Sequence, residues 1–447
     1  MAVGTYTAFT LADALVDMGS RLYDPLHVRW TEPELTIYIQ QAIRTFNALT
    51  NHFRDVATFD TVNKQAFYNI ATVAPSLREQ TITINDVVDQ ICYQLLEPVP
   101  VGGLWAGTEQ YNLEDILSAI QQARDTFLLE TGVIVTHRVL AVPSAPTAGK
   151  VSLPESVINI RRMAWTTANG YIIVIRRDDS WGITNFGRGW QVAQSVAPIA
   201  YSVSTTPPLV VQLAPITTQF GSLDMLTIES GTAPAMVGDV LLGVPDDWAW
   251  VVIFGALAQL LQRDGLAVDP QRAGYCQSRW EDGLERAKAA AVVVDATVND
   301  VNTPLGSVSD ADAYSPDWQM VSGVPRRILT MGQTLVGLWP PAGIPPGGGS
   351  YEVVLDLVQN APVPTALSDA LQIGQELIND ILDYAQHLAL FKEGPGALQT
   401  AMGLLEQFTG ICGTTISVAR ASQPNLDSTV GQTPQDRRVV AYRIPEA

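Results

Sequence analysis

A chain of 447 residues that is 47% apolar but only 16% charged has material for two or three packed cores, and much of its surface must be uncharged or covered. Its formal net charge of −19, with no run of Lys or Arg, argues against tight binding to a phosphate backbone, which clustered cations would have to hold. The cysteines, Cys92, Cys276 and Cys412, are far apart and odd in number, so they point to buried free thiols rather than to disulfides or a zinc site.

The opening MAVGTYTAF lacks the basic and apolar regions of a signal peptide, and the longest apolar run, Trp248 to Leu261, is too short to span a bilayer. The chain is therefore expected to be made in the cytoplasm and to stay soluble, without membrane contact. Thr10 and Asp13 have the spacing of a capping pair that starts a helix through Leu15 and Met18. After Asp24-Pro25 and Trp30, Thr31 is placed to cap a second helix, with Leu35, Ile39, Ala42, Phe46 and Leu49 on one face.

The same order then returns. Asn85 is placed to cap a helix over Val87 to Leu96, and Ile116, Ile120, Ala123 and Phe127 repeat the apolar face. IQQAIRTFNALT, from Ile39 to Thr50, matches IQQARDTFLLET, from Ile120 to Thr131, at seven of twelve positions, including the Thr45-Phe46 and Thr126-Phe127 pairs. A duplication explains this better than chance.

β-prone segments follow each hairpin: Val56 to Val73 after the first, and five runs between Val133 and Ser230 after the second. Turn clusters such as PSAPTAG, TTANG and DDSWG predict an antiparallel, meander-like sheet. Pro245 and Asp246 then open a closing helix pair, WAWVVIFGALAQLLQRDG and YCQSRWEDGLERAKAAAVVV. A second echo relates SLDMLTIESGTAP, from Ser222, to SYEVVLDLVQNAP, from Ser350, and each is followed by another helix pair.

These echoes predict an α+β fold of two similar units, one inserted in the other. An outer unit would comprise 1–83 plus 306–422, an inner unit 84–305, and 423–447 an extended C-terminal arm. A tandem duplication with truncated outer copies is the alternative, but each truncated piece would leave an apolar face half covered.

Signals for chemistry are absent. There is no GxGxxG, GxxxxGK[ST] or GxSxG, and the glycines of PPAGIPPGGGS sit between prolines as a hairpin turn would place them. His27, His52, His137 and His387 have no ligand spacing. Asp178-Asp179, Asp246-Asp247 and Asp310/Asp312 sit where Asp accepts backbone N–H bonds at turns and helix starts. No catalytic, cofactor or metal residues are assigned, and the chain is not expected to be an enzyme. Trp181 and Trp190 flank GITNFGRG and are assigned to an intersubunit contact, with a sugar platform as the other reading. RRVVAYRI, at the end of the arm, is β-prone and cationic in an acidic protein. Arg437, Arg438, Tyr442 and Arg443 are therefore assigned to assembly, through strand addition to a neighbour or pairing with an acidic surface.

The order RLYDPLHVRWTEPELTIYIQQAIRTF, from Arg21 to Phe46, followed by an Arg-Arg strand, a Trp-rich turn and the closing pair VPDDWAWVVIFGALAQLLQRDG, resembles the head-to-tail connector (adaptor) proteins of tailed bacteriophages. Members are usually single units of half this length or less, so the chain looks like a doubled form. The resemblance implies a structural virion protein of the neck: a homo-oligomeric, dodecameric ring beneath the portal protein, bound to tail or neck proteins, through which DNA passes without tight binding during ejection. A receptor- or carbohydrate-binding virion protein is the alternative.

Overall fold

The computed structural model describes residues 8–422 except 101–104, 106–109, 144–148, 187–188, 191, 205–207, 237 and 264–267. Its fold is α+β. Eight long helices, in chain order, are α1 (Leu11–Arg21), α2 (Glu32–Thr50), α3 (Ile84–Leu95), α4 (Leu113–Thr131), α5 (Ala249–Leu261), α6 (Pro270–Ala289), α7 (Gln375–Phe391) and α8 (Pro395–Ser422).

Local chemistry sets the starts of the first and third helices in the same way. At α1 the Thr10 hydroxyl accepts from the Asp13 N–H, while the Asp13 carboxylate accepts from the Thr10 N–H at 2.9 Å. At α3 the cap is Thr83, not Asn85: Thr83 and Asp86 form the same reciprocal box, with the Thr83 N–H 2.8 Å from the Asp86 carboxylate. Asn85 lies inside the helix, because Thr83 supplies the acceptor two residues earlier. Thr31 does occupy the N-cap of α2, yet its side chain makes no capping bond there.

The ends of α2 and α4 also match. Asn51 and Gly132 close them in the left-handed conformation, and the Thr50 and Thr131 hydroxyls donate back to the Phe46 and Phe127 carbonyls at 2.7 Å. Beyond each α2 or α4 end comes a strand, β1 (Arg54–Asp60) or β2 (Thr136–Val142).

Two four-stranded sheets result. In one, β2 and β3 (Val157–Thr167) flank β4 (Gly221–Glu229), with Ile172–Val174 at the far edge. In the other, β1 and β5 (Val293–Val298) flank β6 (Glu352–Val358), with Val301–Asn302 at the edge. Both are antiparallel. A third four-stranded sheet joins Leu305–Gly306, Arg327–Met331, Leu335–Trp339 and Phe67–Asn69.

Several details depart from the sequence reading. β5, placed by sequence at the end of the inner unit, hydrogen-bonds to β6, and its Val293, Ala296 and Val298 fill the core under that sheet, with a bulge between Val293 and Asp295. A boundary near 290 therefore follows the hydrogen bonding better than one at 305. PPAGIPPGGGS is no hairpin turn, since the strands on its two sides belong to different sheets. Within the β-prone stretch Val56 to Val73, the last four residues form a helical turn, Ile70–Val73, capped by Asn69.

The helices share one continuous core, running from Leu15 and Phe46 through Ile91, Phe127 and Phe254 to Leu388 and Phe408. It is not divided between two separate helical domains. α2 packs on α7 and α8, while α4 packs on α5 and α6. Polar contacts also cross between the two groups: the Gln90 amide donates to Gln41, Asn47 donates to Asp247 at 2.6 Å, and the Thr81 N–H lies 3.0 Å from Asp246.

Candidate functional site

The sequence-predicted contact residues do not come together. Trp190 is buried among Ile183, Ala200 and Ala214, and its indole N–H donates to the Thr184 hydroxyl at 3.1 Å. Trp181 is 78% exposed. One ring serves a small core and the other faces outward, so they form no joint aromatic platform. Ser180–Phe186 is a short helix, with the Asp179 carboxylate accepting from the Gly182 N–H. Arg437, Arg438, Tyr442 and Arg443 lie outside the described residues.

The acidic pairs have structural partners. Asp246 accepts from the Thr81 N–H, the Thr81 hydroxyl and the Ile82 N–H, while Asp247 accepts from Asn47 and from the Ala361 N–H at 3.1 Å. Both carboxylates are buried, and each fastens a segment distant in sequence to the start of the closing pair. Burial pushes the Asp247 carboxyl up to about 6, against the pull of Arg78 and Arg44. Asp312 makes a two-point ion pair with Arg162, at 2.7 and 2.9 Å, and also accepts from Trp318.

Of the four histidines, His387 is the one held in a dense buried network. Its Nδ1 is 2.9 Å from the Ala401 carbonyl, which can only accept, so that nitrogen carries the proton. Nε2 then accepts from the Tyr275 hydroxyl at 2.6 Å. The ring stacks on Tyr384, whose hydroxyl accepts from Arg279, and Arg279 itself lies over the Trp250 ring. α6 and α7 are thereby joined by directional bonds inside an apolar core. The sequence gives no sign of this, since Tyr275, Arg279 and His387 sit in helices far apart in the chain.

Burial, reinforced by the Arg279 charge and opposed by the Ala401 carbonyl, lowers His387 to about 4. The unfolded chain therefore takes up this proton below about 6.5, whereas the folded chain resists until about 4. Stability should fall across that window by about 3 kcal/mol from this group alone. Asp247 and Asp89, both raised to about 6, work in the opposite direction by holding protons in the folded state. The stability advantage of wild type over His387→Phe should thus shrink as pH is lowered from 7 to 4.5 in urea titrations. A constant difference would mean that His387 is not buried in its neutral form.

A cavity of about 620 Å³ lies where α2, α3 and α5 meet the chain at Gln359 to Thr365. Arg44 lines it and makes no hydrogen bond or salt bridge among the described residues; it feels the charges of Asp246, Asp247 and Asp86. Gln41 Nε2 and Trp250 Nε1, on two other residues of the lining, are buried without a partner. Its lining brings the Glu79, Asp86 and Asp246 carboxylates together with the Arg44, Gln41 and Trp250 donors.

Among the described residues, no three His, Cys, Asp or Glu side chains cluster as a metal site requires, and no helix is long and apolar enough to cross a membrane. Cys92, Cys276 and Cys412 are all buried and outside any disulfide, and burial pushes Cys412 up to about 12. No protein-family model matches the chain, and no curated protein matches it.

Proposed function

We propose that the chain is a doubled head-to-tail connector of a tailed bacteriophage, a structural virion protein that assembles as a ring beneath the portal and continues the DNA channel toward the tail. The observation that carries this reading is the repetition of one set of contacts, in the element order that resembles the connector family. Thr10 bridges Ala370 as Thr83 bridges Leu241. The Leu11 N–H donates to the Asp369 carbonyl as the Ile84 N–H donates to Val240. Phe46 meets Phe408 as Phe127 meets Trp280, each pair of rings 6.5 Å apart. Glu34 pairs with Lys392 as Asp115 pairs with Arg263.

In each set the first partner comes from a hairpin and the second from the strand-to-helix segment or closing helix pair that completes the same unit. For the outer set the two lie more than 300 residues apart, with the whole inner set between them. Nesting accounts for this directly. A tandem array of truncated copies would pair neighbours in sequence. The inner unit then ends near 290, where β5 returns the chain to the outer sheet.

A net charge of −19 suits a channel wall that lets DNA pass without holding it. The test is the native mass of the purified protein together with negative-stain images. The expected result is a closed ring of about a dozen copies, and a trimer or a monomer at all concentrations would sink the proposal.

A further inference from the structure

Two exposed surface features differ in shape and charge. One is the loop joining α1 to α2. Tyr23, Leu26 and Val28 on it are each at least 79% exposed. The loop is nevertheless built rigidly: the Asp24 carboxylate accepts from the N–H groups of Val28, Arg29 and Trp30 at 2.8–3.0 Å. Trp30, at its end, is buried with its indole N–H on the Ala389 carbonyl. Tyr23 and His27 both adopt positive φ, a conformation that side chains other than glycine's seldom take. Three apolar side chains held out from a tied loop form a knob.

The other feature is a groove of about 550 Å³ bordered by Val321, Val324, Arg326, Arg327, Trp339 and Pro340. Its floor is fixed. Trp318 is buried there and bonded to Asp312, and the Gly323 and Arg326 N–H groups donate to the Pro341 and Trp339 carbonyls. Val321 and Val324 are exposed, and the Arg327 guanidinium lies 5.3 Å from the Trp339 ring centre. Neither Arg326 nor Arg327 enters an ion pair among the described residues, whereas Arg162, in the earlier Arg-Arg strand, is paired with Asp312. Trp, Arg and apolar edges in one concavity are the composition of an interface hot spot.

We infer that the groove receives the Tyr23–Val28 knob of a second copy of this chain. Charge complementarity selects that occupant. An exposed pair of cations beside an apolar slot fits an apolar knob on an acidic body; this chain carries −19, Glu32 stands exposed just after the loop, and the one cation between them, Arg29, is paired with Glu393. Knob and groove also belong to different cores, the loop to the helical core and the groove to the one around Trp318. A contact between unlike patches is heterologous, so it leaves a free knob at one end and a free groove at the other, and it closes only as a ring.

This inference rests on the ring reading, and one experiment separates the two. A knob variant (Leu26→Lys with Val28→Lys) and a groove variant (Arg326→Glu with Arg327→Glu) are each compared with wild type by native mass spectrometry, with circular dichroism and melting to verify the fold. Wild type should give the ring, and each folded variant alone should remain monomeric. An equimolar mixture should stop at dimers, because one intact knob and one intact groove remain. If wild type forms rings and either folded variant does too, or if the mixture stays monomeric, the knob-in-groove contact is wrong while the ring stands. If wild type forms no ring, the ring reading fails and takes this contact with it.

Discussion

Replacing Phe46 or Phe127 with alanine should lower the unfolding free energy by about 3–5 kcal/mol in each case. The rings sit at matching places on α2 and α4, each no more than 1% exposed, and each packs against an aromatic ring of a closing helix, Phe408 or Trp280. Removing either leaves a void that the fixed neighbours fill only in part. Around Phe127, Trp280 is pressed so tightly on Gly255 that a side chain at that glycine would collide with it. In the outer set Phe408 instead stacks on Tyr384, at 4.3 Å. Collapse into either hole would therefore break other contacts, which puts both substitutions toward the upper part of the range. Thr126, the partner in the repeated Thr-Phe pair, is exposed, and Thr126→Ala should change stability by no more than about 0.5 kcal/mol. Urea unfolding of the three variants checks this; a loss below about 1 kcal/mol at either Phe would contradict the packing role.

The contrast between Thr45 and Thr126 also shows where reading the chain stops. Helix periodicity placed the apolar faces of α2 and α4 correctly, because spacing at three and four residues is a property of each helix alone. The repeated sequence does not carry the same burial at both threonines: Thr45 is buried and Thr126 is exposed, since α2 is covered on more sides than α4. The capping box at Thr10 was legible because its two partners are three residues apart. The one at Thr83 was equally local, but Asn85 offered a competing cap nearby.

Long-range partners are different. The pairing of β5 with β6, the Tyr275–His387 bond and the Arg327–Trp339 stack depend on which surfaces the fold brings together. Their residue types carry no mark of it. Trp190 and Trp181 illustrate the same limit, for one loop sends one indole inward and the other outward. The Arg-Arg pair at Arg326 has the same residue types as Arg161-Arg162 but a different setting. Arg162 is held by Asp312, whereas Arg326 and Arg327 are exposed without an ion-pair partner among the described residues.

Lys392→Met should destabilise the protein by about 3–5 kcal/mol at neutral pH, while Arg263→Met, at the corresponding place in the inner set, should cost about 1 kcal/mol or less. Both cations close the same kind of bridge, from the end of a closing helix to the first turn of α2 or α4. The Lys392–Glu34 pair has side-chain exposures of 5% and 2% with atoms 2.8 Å apart, whereas Arg263 and Asp115 are 53% and 30% exposed. Water screens the second pair and readily takes its place. For the first, removing the lysine strands the Glu34 carboxylate beside Tyr38 and also deletes the bond from Lys392 to the Arg29 carbonyl. Burial already raises the Glu34 carboxyl above its ordinary range despite the lysine, so losing the lysine raises it further. A carboxyl whose folded value is raised holds its proton in the folded state, and stability is regained as pH falls below that value. The Lys392→Met loss should accordingly be smaller at pH 5 than at pH 8. The double variant Glu34→Leu with Lys392→Met should be markedly more stable than Lys392→Met alone, because no buried charge remains. Equal costs for Lys392→Met and Arg263→Met, or a double variant no better than the single, would show that burial does not separate the two bridges.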